Sequence, residues 1–104
     1  MGVILLTVWI PPNKAVDLAK WYLKQKRELP YITKWRVFNT NGGLEGLKQY
    51  HLIYTEKGKL EEAGIELQKY FFPIANEMEG FRISSETLLG VSDSYALIGM
   101  KWEK

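Results

Sequence analysis

Cysteine is missing from all 104 positions. That absence excludes disulfides, thiolate metal sites and a cysteine nucleophile, and it fits a reducing, cytoplasmic setting. Histidine occurs once, at position 51, which leaves too few nitrogen ligands for an all-protein zinc or iron centre. No metal and no cofactor is expected. Neither G-x-x-x-x-G-K-[ST] nor G-x-G-x-x-G is present, and Asn41-Gly42-Gly43 is turn chemistry rather than a phosphate cradle. A strong excess of one charge is lacking too. Fourteen Lys and Arg stand against twelve Asp and Glu, and a net charge of +2 gives little ground for a polyanion partner. The first apolar run, residues 2–10, has no basic region before it and stops at Pro11 and Pro12. It is too short to cross a bilayer, so neither a membrane helix nor a signal peptide is expected. Gly2 is followed by Val3-Ile4-Leu5-Leu6, without the Ser or Thr of a myristoylation pattern.

What is present is a folding composition: 46% apolar and 25% charged residues, far from the regime of disorder. The length suits one domain, residues 1–104, and is short for two. A chain of this size buries about two-thirds of its unfolded surface. Four Trp, six Tyr and four Phe are therefore expected to leave ring surface exposed unless a second subunit covers it.

Periodicity gives the element order. Residues 3–10, β-branched and apolar, read as a buried central strand. Asn13 is a candidate cap for a helix over residues 13–28, whose apolar stripe is Ala15, Val16, Leu18, Ala19, Tyr22 and Leu23 and which should stop before Pro30. Residues 32–38 and 46–55 read as a hairpin around the turn cluster Asn39-Thr40-Asn41-Gly42-Gly43. From Leu60 a second amphipathic helix carries Leu67, Phe71 and Ile74 on one stripe, and Pro73 should end or bend it. Residues 81–91 form the fourth strand, Ser92-Asp93-Ser94 a turn, and residues 95–102 an extra C-terminal strand. The order β-α-β-β-α-β with right-handed crossovers yields a ferredoxin-like α+β fold: one antiparallel sheet with two helices on one face.

The other face then lacks cover. In the first strand Ile4, Leu6, Val8 and Ile10 are uniformly apolar and belong under the helices, whereas Val3, Leu5, Thr7 and Trp9 are mixed. In the hairpin, Trp35, Val37, Tyr50, Leu52 and Tyr54 read as core if the register pairs odd with even positions. Lys34, Arg36, Phe38, Gln49, His51 and Ile53 then fall on the uncovered side. A surface so mixed suits an interface or a ligand cavity, and the expectation is a homodimer whose sheets meet around a pocket lined by Thr7, Trp9, Arg36, Phe38, Gln49 and His51.

The element order, with the strand openings Val3-Ile4-Leu5-Leu6-Thr7-Val8-Trp9 and Tyr50-His51-Leu52-Ile53-Tyr54, resembles the dimeric α+β barrel proteins over residues 2–91. That ferredoxin-like group includes small quinone-forming monooxygenases and muconolactone isomerases. The resemblance implies paired sheets and a pocket for a small, often aromatic compound, but no particular reaction. Residues 95–104 depart from the minimal pattern and either add an edge strand or reach across to the partner.

His51 is the side chain best suited to proton transfer near neutral pH, although a lone strand histidine is more often structural. Arg36 has the fork to hold a carboxylate or phenolate, against the plainer role of a cross-sheet ion pair. Trp9 and Phe38 can stack on a planar ligand or simply pack. Three functions remain. The favoured one is a small-molecule binding or assembly module. The second is a cofactor-free monooxygenase or isomerase with His51 as base and Arg36 or Gln49 steadying an enolate-like charge. RNA binding ranks third: Lys48-Gln49-Tyr50-His51-Leu52-Ile53-Tyr54 keeps the basic and first aromatic positions of RNA-recognition domains, yet Gln49 and His51 stand where small residues would admit a base.

Overall fold

A computed structural model describes residues 2–25, 28–41 and 47–101. It is an α+β fold around a four-stranded antiparallel sheet. The strands are β1 (Val3–Ile10), β2 (Ile32–Asn41), β3 (Leu47–Thr55) and β4 (Arg82–Leu88). They lie side by side as β2-β3-β1-β4, an order compatible with the ferredoxin-like arrangement. A 3₁₀ turn (Pro12–Lys14) leads into α1 (Ala15–Lys24), α2 (Leu60–Glu77) joins β3 to β4, and α3 (Val91–Leu97) follows β4.

β1 is central because its even positions can be apolar without exception: Ile4, Leu6, Val8 and Ile10 are all buried. Leu18 from α1 and Leu67, Tyr70, Phe71 and Ile74 from α2 join them in one core with Ile53 of β3. Both helices thus cover the same side of the sheet. Each large apolar side chain sealed there contributes about 1.5–3 kcal/mol. One end of the sheet is tied by Thr55, whose backbone N–H (2.9 Å) and hydroxyl (3.1 Å) both donate to the carbonyl of Gly2. A side chain at position 2 would meet Leu60 Cδ1 and the Thr55 hydroxyl at 2.9 Å, so it would have to displace both.

Four expectations are corrected. The extra C-terminal strand is absent: residues 91–97 form α3, and Ser92-Asp93-Ser94 is its first turn, while Trp102 lies outside the described residues. Pro73 does not end α2, which runs on to Glu77 because Ile74 and Met78 are buried and hold its last turn on the core. Asn13 lies within the 3₁₀ turn, and no side chain caps α1, which ends at Lys24 rather than Glu28. Most important, the β2–β3 register pairs odd with odd, Trp35 with Ile53 and Val37 with His51, past an irregularity between Ile32 and Lys34. The hairpin residues expected in the core and those expected outside exchange places along β3. The glycines of the turn cluster, Gly42 and Gly43, lie outside the described residues.

The molecule is long for its length of chain. Its radius of gyration is 15.6 Å, where a compact domain of this size has about 13 Å. Its exposed area is 7434 Å², against about 6000 Å² for a typical monomer of this mass.

Candidate functional site

Across the open side of the sheet the register builds four rows. Trp9 stands between Lys48 of β3 and Arg82 of β4, and Thr40 of β2 completes that row. Thr7 follows with Tyr50, Phe38 and Ser84, then Leu5 with Leu52, Arg36 and Glu86. Val3 closes the array with Tyr54, Lys34 and Leu88. Alternation divides each strand into two sets, and the register settles that these are the ones turned away from the helices.

Four cations face one carboxylate here, and the cations lie on the rings. The Arg82 guanidinium sits 4.9 Å from the Trp9 ring centre and the Lys48 ammonium 5.6 Å from it. Lys48 also reaches Tyr50 at 5.5 Å, Arg36 lies 5.1 Å over Phe38 and Lys34 5.6 Å over Tyr54. Each contact supplies about 0.5–1 kcal/mol at an exposed site and more once water leaves. Beneath them Thr7 is buried, while Phe38 stays 46% exposed. The indole N–H of Trp9 is shielded from water and has no acceptor among the described residues. An orphaned donor of that kind costs about 1–3 kcal/mol until something accepts from it.

The covered side holds a different constellation. His51, expected on the open face, is fully buried beneath the helices, with Gln49 beside it. Trp35 Nε1–H donates to His51 Nδ1 at 2.9 Å. Because an indole can only donate, Nδ1 carries no proton and the neutral ring bears its proton on Nε2. That nitrogen faces Gln49 Oε1 at 3.2 Å and the Tyr22 hydroxyl at 3.3 Å, while Tyr22 donates to Gln49 Oε1 at 3.0 Å. Phe71 meets the imidazole edge-on with ring centres 5.5 Å apart. Tyr22 and Gln49 also line a cleft of about 590 Å³ that α1 forms with the ends of β1 and β3.

The six residues expected to share one pocket therefore divide. Thr7, Trp9, Arg36 and Phe38 come together on the open face, whereas Gln49 and His51 belong to the core network. The expected pocket missed Lys48, Tyr50 and Arg82 on the first surface and Tyr22 and Trp35 in the second. For the first group the signal was available: a cation two residues from an aromatic in Lys48-Gln49-Tyr50, and Arg82 at the start of the strand paired to Trp9. Among the described residues no cluster of three His, Asp or Glu side chains has metal-site geometry. Nor is any described helix long and apolar enough to cross a membrane. No family model, curated protein or solved structure matches this chain.

Proposed function

We propose that the chain is a ligand-binding module working as a homodimer of the dimeric α+β barrel kind, its ferredoxin-like subunits meeting at their open sheet faces around a planar anionic compound. One observation carries this reading: Trp9, Phe38, Tyr50 and Tyr54 alternate with Lys34, Arg36, Lys48 and Arg82 in one continuous array. Rings offer stacking planes, and guanidinium and ammonium groups offer counter-charge. Two such faces brought together would bury like charges, which is costly without counter-charge. An anion between them removes that cost, so ligand binding and pairing reinforce each other.

The test is sedimentation at micromolar concentration with and without naphthalene-2-sulfonate. A dimer whose population rises with the sulfonate, and also with added salt in its absence, supports the reading. Monomer under every condition sinks it. So does tight binding of single-stranded RNA that weakens as salt rises, the behaviour of a free electrostatic surface.

A second reading, the cofactor-free isomerase or monooxygenase, is favoured by the cleft beside α1, where Tyr22 and Gln49 stand at the wall and hydrogen-bond to His51 behind them. With Nδ1 accepting from Trp35 and the proton on Nε2, the imidazole would not be the base: it would donate toward the Tyr22 oxygen, and Tyr22 would exchange the proton with the substrate. Turnover of an enolisable substrate that survives Tyr22→Phe rules it out.

A further inference from the structure

Two apolar surfaces in this molecule have no cover among the described residues. The first is a groove of about 570 Å³ beside the edge strand β4. Gly64, Gln68, Phe72 and Ala75 of α2 form one wall, and Ile83 and Ser85 of β4 the other. Phe72 is 69% exposed in it. The second surface is the segment after β4. α3 buries none of its residues, and Leu97, Ile98 and Met100 are 76%, 68% and 56% exposed. The groove needs an apolar filler and the segment needs an apolar seat, yet within one chain they do not meet.

We propose that the groove between α2 and β4 receives the C-terminal arm, residues 91–101, of a second copy of this chain. The proposal extends the homodimer reading, on which it rests for its second copy, by naming a contact between subunits apart from the sheet faces. Three observations converge on that occupant. The chain carries its own complementary segment, and exchange of identical elements is the simplest way for two copies to satisfy both surfaces at once. The excess of exposed area over a compact monomer, about 1400 Å², exceeds the roughly 800 Å² per partner that a stable interface removes. The third is Gly64. It lies inside α2 and costs helix stability relative to alanine, but a Cβ placed there meets no heavy atom within 4 Å. Nothing among the described residues calls for a glycine there, whereas close approach of another chain's backbone does.

The absence of cysteine makes a direct test simple. Ile98→Cys and Gln68→Cys are made as separate variants, one carrying a mass tag, and are mixed and oxidised gently. A disulfide-linked heterodimer of the intermediate mass is the expected product, and the doubly substituted chain is expected to link between copies. Exclusive linkage within one doubly substituted chain overturns the proposal, since the arm would then fill its own groove. Failure to link, in a wild-type protein that still sediments as a dimer, also overturns it and leaves the sheet-face pairing standing. A wild-type monomer overturns both. As an independent check, Gly64→Gln fills the groove with a side chain whose Cβ meets nothing in its own subunit. It should raise the dimer dissociation constant at least tenfold with an undiminished melting temperature for the monomer. Unchanged association counts against the arm.

Discussion

The two sides of this sheet solve the same problem, polar side chains beside aromatic rings, in opposite ways. Under the helices, His51, Gln49, Tyr22 and Trp35 satisfy one another in a closed set of hydrogen bonds of 2.9–3.3 Å. On the open side, Lys34, Arg36, Lys48 and Arg82 rest on rings at 4.9–5.6 Å, and the buried Trp9 N–H has no acceptor among the described residues. A closed network fixes structure because breaking any link strands a buried partner. An array of mostly exposed cations over half-exposed rings leaves ring surface open to water and constrains the fold less. The difference in satisfaction, more than residue type, separates the two sides.

Neighbouring residues on β3 offer the sharpest way to break this contrast. His51 is fully buried while Leu52, the next residue, points to the open side and is half-buried. His51→Ala empties a packed position and strands the Trp35 N–H, and it should lower unfolding free energy by about 3 kcal/mol. Leu52→Ala should cost about 1 kcal/mol, in line with partial loss of apolar burial. Urea unfolding measures both. Equal losses would mean that the open side is as much core as the covered side. Tyr22→Phe sharpens the picture within the network: it deletes the hydroxyl at the wall of the cleft and leaves His51 Nε2 with Gln49. A loss of about 1 kcal/mol is expected by the same measurement. The ¹⁵N shifts of His51 should show a proton on Nε2 in both wild type and variant, since Trp35 still donates to Nδ1.

Much of the frame was legible from hydrophobic period alone. The unbroken series Ile4, Leu6, Val8 and Ile10 marked the covered side of β1, and Leu67, Phe71 and Ile74 marked the buried stripe of α2. The register of β3 was not, because both of its alternate sets carry apolar groups. Tyr50, Leu52 and Tyr54 look more like core than Gln49, His51 and Ile53 do. Apolar character taken strand by strand therefore selects the wrong side. What reverses it is pairing: Tyr22 arrives from α1 and Trp35 from β2, each with the hydrogen-bonding group that Gln49 and His51 need. Those partners are 16 to 29 residues away in sequence, beyond the reach of any local pattern. The C-terminal segment was misread for another reason. Tyr95-Ala96-Leu97-Ile98 is a short apolar run without alternation, and a run of that kind fits a strand or a helix equally well. The helix at 91–97 was therefore invisible to periodicity, while the departure from the minimal fold pattern was visible.

The smallest stability effect carries the most functional information. Arg36 is exposed and lies over Phe38, one of the rings whose surface is still open to water. Arg36→Gln keeps the length and polarity of the side chain, removes its charge, and should change unfolding free energy by no more than about 0.5 kcal/mol. If the array is a site for planar anions, the same substitution should weaken binding of naphthalene-2-sulfonate roughly tenfold, the scale of one lost charge-assisted contact. It should also flatten the salt dependence of that binding, because one fewer cation is screened. Titration of the intrinsic tryptophan emission follows both quantities. A substitution silent in stability and in binding alike would mean that the cations of this face are ordinary surface charges, and the asymmetry between the two sides would then concern folding only.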